Sequence, residues 1–269
     1  MALPTSANAV AAFALAEASA GINPNTIVRR VTAISYYHRQ AGHIPPNAGA
    51  GARELLEVLA GIQAIRGKPK VKKAPAVTSV VHDMLETING TGLRAARDKA
   101  VLAIGMAAAL RRSELAAFDV EDIQLTADYL VLRIEGSGAD QMRESQKVIV
   151  PEGTVIKPKI LLLDWITQAG HQTGPLFRRL TRRDELMEER ISDRAVARLV
   201  QHYAAAAGYD PAKFGGHSLR SGFLTEAANH GATIPTLKAI SRHKSLQALS
   251  DYVQPSIGDF ENHPGEGFL

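Results

Sequence analysis

Apolar residues recurring three and four apart predict helices over about 6–20, 25–41 and 49–66, with Pro45 and Pro46 separating the second from the third. "GKPKVKKAPAV" (67–77) breaks that pattern with a glycine, two prolines and four lysines, and predicts an extended linker. Beyond it, Thr78 or Ser79 is placed to cap a helix running through Ile88. The next helix starts near Ala95, and the almost unbroken apolar content of "RDKAVLAIGMAAAL" predicts burial on every side. "RRSELAAF" begins a further short helix. "YLVLRIEG" (129–136) and "QKVIVP" (146–151) read as strands joined by a turn at "GSGAD", the second closed by Pro151. Helices are then expected at about 157–169, 191–207, 217–230, 234–241 and 246–252. No 20–50-residue repeat is visible. The pattern predicts a mainly α chain with a small antiparallel β-hairpin sheet, in two domains: helical residues 1–66, a linker over 67–77, and 78–269.

Composition narrows the class. The chain has 269 residues and no cysteine, which excludes disulfide frameworks and cysteine-ligated zinc and suits a reducing, cytoplasmic location. No apolar run approaches a membrane span, and "MALPTSANAV" lacks the basic-then-apolar order of a signal peptide. The net charge of +4 is unevenly spread. Residues 25–73 carry nine basic side chains (Arg29, Arg30, Arg39, Arg53, Arg66, Lys68, Lys70, Lys72 and Lys73) against Glu54 and Glu57, an excess of seven. Such an asymmetry points to a polyanionic partner or to a solvated basic face. Phosphate-loop and zinc-protease motifs are absent, and "GSG" (136–138) is too short to cradle a phosphate.

Four short motifs follow one another in the second half: "LRRSEL" (110–115), "HSLR" (217–220), "RHKSLQ" (242–247) and "DYV" (251–253), whose tyrosine falls nine residues after His243. Their order and spacing resemble the tyrosine recombinase (phage integrase) family, and the likeness extends over nearly the whole chain. Each motif alone is weak; the ordered set is specific. The resemblance implies an N-terminal helical, SAM-like domain that clamps DNA, a C-terminal α+β catalytic domain, and a site-specific recombinase. It implies no metal and no cofactor. It further implies double-stranded DNA with inverted-repeat sites as substrate, a dimer per site and a tetramer in synapsis, in a bacterial, DNA-associated, cytoplasmic setting.

By the same resemblance Tyr252 is the nucleophile, giving a 3′-phosphotyrosine and a free 5′-hydroxyl. Arg111 and Arg220 neutralise the charge that builds on the non-bridging oxygens, because a planar guanidinium pairs bidentately with phosphate and stays charged. His217 fits a general acid–base or a phosphate hydrogen-bonder, since an imidazole reaches both protonation states near neutrality. His217 and Arg220 stand three apart at a predicted helix start, where backbone N–H groups also favour an anion, and Gly215 and Gly216 before them allow close backbone approach. His243 fits a second donor to the same phosphate. Glu114 fits a carboxylate that orients Arg111, and Arg112, in the variable position, is expected at the surface. Arg29, Arg30, Lys68, Lys70, Lys72 and Lys73 are the expected DNA-backbone contacts.

Two places depart from the family pattern. Its catalytic lysine lies in the β-hairpin turn, where this chain reads Ser137-Gly138-Ala139-Asp140-Gln141 and Gly138 takes the lysine's position. That implies a reduced activity or a substitute such as Arg143 or Lys147. The family also carries a helix ahead of the "LPTSANAV" segment, so the clamp is expected to be one helix short. Gly138 favours a second class, a non-catalytic DNA-binding protein on the same scaffold. A third class, a type IB topoisomerase-like enzyme, would share the site and relax DNA without sequence preference.

Overall fold

The computed structural model describes residues 3–67, 73–134 and 146–243, together with Leu249 and Tyr252. It divides into two compact units, Met1–Val71 and Lys72–Leu269.

The first unit holds three helices: α1 (Ala7–Ser19), α2 (Pro24–Gln40) and α3 (Ala52–Arg66). Ser6 and Asn23 cap α1 and α2 through their side chains, and Pro24 opens α2 where its missing N–H costs nothing. Val10, Ile27, Val31, Leu55 and Ile62 close a common core. Arg29 is exposed on α2, and Arg30 is ion-paired with Glu17.

The second unit is built around α5 (Leu93–Ala107), which follows α4 (Thr78–Glu86). Eleven of the fifteen residues of α5 are buried, as its unbroken apolar run predicts. It ends at a turn leading into α6 (Arg112–Ala117). A short 3₁₀ turn, Val120–Asp122, then delivers β1 (Ile123–Leu125), β2 (Tyr129–Ile134) and β3 (Gln146–Pro151). These form one antiparallel sheet in which Leu130 faces Val150 and Leu132 faces Val148, so alternate residues enter the core. The expected hairpin therefore gains a third strand, β1. Helix α7 (Pro158–Ala169) follows, with Trp165 fully buried and its Nε1–H donating to the Leu176 carbonyl at 2.8 Å. A second sheet pairs β4 (Arg178–Leu180) with β5 (Leu186–Arg190). Helices α8 (Asp193–Ala206), α9 (Ser218–Asn229) and α10 (Ile234–Ser241), with a 3₁₀ turn at Pro211–Lys213 between the first two, complete the described elements. The helix expected at 246–252 lies outside the described residues except for Leu249 and Tyr252. Among the described residues no helix is long and apolar enough to cross a membrane.

The expected Thr78 or Ser79 cap is not the one used. Val77 stands at the N-cap without a side-chain bond, and the Thr78 N–H donates instead to Glu226 Oε1, 2.8 Å away on α9. The same segment donates from Ala74 N to the Lys213 carbonyl and from Ala76 N to the Ser218 carbonyl, at 2.7 and 2.8 Å. Residues 74–78 thus strap α9. The strap lies so close that a Cβ on Gly222 would stand 1.8 Å from the Ala76 carbonyl oxygen, so only glycine fits there. Three residues earlier on α9, Leu219 fills the room that Gly105 of α5 leaves, and its Cδ1 would be 2.7 Å from a Cβ at that position. These two approaches fix the axial position of α9 and, with it, Arg220.

Candidate active site

The α5–α6 turn, the start of α9 and the end of α10 converge. Ala109 in the turn and Arg242 after α10 both take left-handed backbone, with φ of 48° and 59°. Those conformations turn the Ala109 and Ser241 carbonyls toward Arg220. Its Nη1 donates to Ala109 O at 2.6 Å, and its Nη2 donates to Ser241 O. Nη2 also lies 3.2 Å from His243 Nδ1. Arg220 is fully buried, its Nε has no hydrogen-bond partner, and it makes no ion pair with a carboxylate among the described residues. Burial above all, and then Arg111, push its pKa down to about 10, partly offset by Glu114 and Tyr252, so it remains a cation at neutral pH. A buried cation without a counter-ion is costly unless an anion arrives.

Arg111 stands at the N-cap of α6, three residues before Glu114. Its backbone N–H donates to Glu114 Oε2 at 2.8 Å, its Nη1 donates to Glu114 Oε1, and its Nη2 donates to the Arg242 carbonyl at 2.9 Å. The Glu114 side chain is 5% exposed and the Arg111 side chain 41%, so the carboxylate is sunk beneath a guanidinium that still reaches solvent. Burial works to raise the Glu114 pKa, but Arg242, then the Arg111 backbone N–H and guanidinium, hold it below its ordinary value. Arg112 is half exposed and ion-paired with Asp193 at 3.2 Å. Its Cβ occupies the space a side chain on Gly216 would need, whereas Gly215 faces open space.

His217 is the exposed N-cap residue of α9, so the His217/Arg220 pair spans the surface and the buried floor of one helix turn. His243 is pushed down to about 4, first by burial and then by Arg220, Arg111, His217 and Arg242, which all face it. It is neutral at neutral pH. Its Nδ1 lies between Arg220 Nη2, which can only donate, and Ser241 Oγ, whose one hydrogen is also within reach of the Leu237 carbonyl. Ser241 Oγ supports the same nitrogen at 2.6 Å. Tyr252 packs against the cluster of Leu224, Leu237 and Leu249, and its hydroxyl is within electrostatic reach of Arg220.

The arrangement thus gathers Arg111, Glu114, Arg220, His243 and Tyr252 with His217 at the rim. Gly138 and Arg143 lie outside the described residues, as do Lys68, Lys70 and Lys72. Lys147 lies exposed on β3 opposite Arg133, and Lys73 donates to the Ala212 carbonyl. Arg242, Ser241 and the Ala109 carbonyl were not singled out from sequence. The one available signal for Arg242 was its place beside His243.

His243 gives a pH test. Its folded pKa of about 4 is below the ordinary value near 6.5, so the stability it contributes is whole above about 6.5 and is lost as pH falls toward 4. Melting temperature should fall through that window, and His243→Gln should make the fall shallower. Parallel melting curves for parent and variant would contradict the assignment.

The phage integrase family pattern matches residues 78–257. A curated relative, an integrase/recombinase xerD homolog of Selenomonas ruminantium, is 32% identical over 232 residues, which cover 86% of this chain and 68% of the relative. The tyrosine recombinase XerD of Xanthomonas axonopodis pv. citri is 32% identical over 161 residues, 58% of this chain and 50% of that protein. The chain thus spans about half the length of some relatives it matches. Among solved structures, the Tn1549 transposon integrase in complex with transposon right end DNA superposes with a TM-score of 0.62 at 16% identity, over 95% of this chain and 83% of that one. A lambda integrase dimer bound to a COC′ core site gives 0.58 at 17% identity, over 93% and 80%. These two likenesses concern the fold. With the family pattern spanning both arginine motifs and the tyrosine, the chain belongs to the phage integrase family, the tyrosine recombinases.

Proposed function

We propose that the chain is a site-specific recombinase that cuts and rejoins duplex DNA through Tyr252. The tyrosine oxygen attacks a backbone phosphorus and the bond to the 5′-oxygen breaks, leaving a 3′-phosphotyrosine and a 5′-hydroxyl. His217 takes the phenolic proton, and the departing 5′-oxygen takes a proton from solvent water or from Lys147 or Arg143. Arg220, Arg111 and His243 hold the non-bridging oxygens as their charge grows. The observation that carries this reading is Arg220: a buried cation with no carboxylate partner among the described residues, with Arg111, His243 and Tyr252 in its field.

Arg29, Lys68, Lys70, Lys72 and Lys73 are proposed to contact DNA phosphates, with Arg30 contributing less because Glu17 offsets it. One tyrosine per protomer and four strands to exchange call for four protomers, two on each inverted-repeat site.

A nicked suicide substrate, which loses its 5′-hydroxyl fragment after cleavage, tests the chemistry. The parent should accumulate a covalent protein–DNA adduct and Tyr252→Phe should form none. An adduct that persists in Tyr252→Phe would show another nucleophile. A parent that binds DNA without forming an adduct would be the non-catalytic scaffold protein that Gly138 favours. Relaxation of supercoiled DNA lacking any site would point to the topoisomerase-like reading.

A further inference from the structure

We infer that Arg242 is a positioning residue for Arg111, and that it keeps Arg111's charge available to the scissile phosphate. This rests on the recombinase reading above. The Arg242 side chain is 7% exposed, and its Nη2 donates to Glu114 Oε2 at 2.9 Å. The same guanidinium donates to Ile240 O at 2.7 Å and to Ala109 O at 3.3 Å, the carbonyl that also receives Arg220. Its own backbone carbonyl receives Arg111 Nη2 at 2.9 Å. Arg242 therefore shares Glu114 with Arg111 and Ala109 O with Arg220, and an arginine stands there although φ of 59° favours glycine.

The charges give this contact a consequence. Arg111 and Glu114 alone form a closed, neutral pair, which presents little net field to a phosphate. With Arg242 on the second carboxylate oxygen, the triad carries one net positive charge, and it is Arg111 that reaches solvent. Without the Arg242 guanidinium, Glu114 would answer Arg111 alone. The loss would then fall on the transition state, where phosphate charge is largest, more than on DNA affinity, which many surface cations share.

The test compares single-turnover adduct formation on two DNA substrates. One has an ordinary phosphodiester at the cleaved position. The other has a methylphosphonate there, in which a methyl group replaces one non-bridging oxygen and removes its negative charge. Arg242→Gly suits the backbone and deletes the guanidinium. It should slow cleavage of the phosphodiester at least about 30-fold and of the methylphosphonate less than about threefold, with DNA affinity within about twofold. Adding Glu114→Gln to Arg242→Gly removes the unshared carboxylate and should recover part of the phosphodiester rate. Arg242→Lys keeps the charge beside Glu114 and should lose less than tenfold with the same substrate contrast, and it decides the matter if Arg242→Gly does not fold. Equal slowing on both substrates would reduce Arg242 to a packing role, and unchanged rates on both would remove it from the reaction; either overturns the inference alone. A parent that forms no adduct overturns the recombinase reading, and this one with it.

Discussion

Arg220→Lys is expected to lower DNA cleavage by about 10²–10³-fold while leaving DNA affinity within a few fold, the usual cost of removing one donor aimed at developing charge. A guanidinium has five N–H groups. In Arg220 one Nη1 hydrogen goes to Ala109 O, both Nη2 hydrogens go to Ser241 O and His243 Nδ1, and the remaining Nη1 hydrogen and Nε–H stay uncommitted. The backbone carbonyls and the imidazole thus hold the plane of the fork, and two donors remain for an anion. A lysine in the same place keeps a buried cation and can still reach the carbonyls, so the fold is expected to survive. It cannot satisfy the carbonyls and grip a phosphate from a fixed plane at once. It also drops the contact with His243 Nδ1, so that ring loses one of the two groups that hold it. Single-turnover cleavage with a parallel binding isotherm checks this. A variant that cleaves within threefold of the parent would show that Arg220 holds the floor of the site and does not meet the phosphate.

The same residue shows how far sequence reading reaches. The three-residue spacing of "HSLR" placed His217 and Arg220 on one helix turn, and the element bounds of α9 and α10 came within a residue or two of the pattern. Periodicity could not say that His217 stands exposed at the helix N-cap while Arg220 is fully buried, because the carbonyls that receive Arg220 come from left-handed backbone at Ala109 and Arg242. Neither residue is glycine, so nothing in the letters announces the turn. Arg242 was hidden for the same reason: a charged letter after a helix reads as surface, and its buried guanidinium is met by Glu114, which arrives from α6, and by the Ala109 carbonyl of the turn before it. The missed strands have a different cause. β1 is three residues long, and β4 and β5 lie in "RRLTRRDELMEER", where charges swamp any two-residue alternation. The buried helix α5 was legible because its apolar run is too continuous for a surface helix.

Gly138 should leave a kinetic mark that a change of leaving group reveals. The family's lysine in the hairpin turn supplies a proton to the departing 5′-oxygen, and glycine has no proton to give. Loss of a general acid costs about 10²–10⁴-fold in rate. An alkoxide needs that proton, whereas a thiolate leaves without it. The parent is therefore expected to cleave a 5′-bridging phosphorothioate about 10²–10⁴-fold faster than ordinary DNA. Gly138→Lys should raise cleavage of ordinary DNA at least about tenfold and change the phosphorothioate rate little, so the gap between the substrates narrows from one side only. A melting curve on the variant separates this gain from any cost of replacing a glycine in a turn. Lys147 is the described alternative, exposed on β3 at the end nearer the turn, and Arg143 precedes it in sequence. If the parent cleaves both substrates equally well, one of these two supplies the proton, and Lys147→Ala or Arg143→Ala should then open the gap that Gly138 does not. Equal rates in the parent that survive both substitutions would show that departure of the 5′-oxygen does not limit the reaction, and Gly138 would then carry no catalytic consequence.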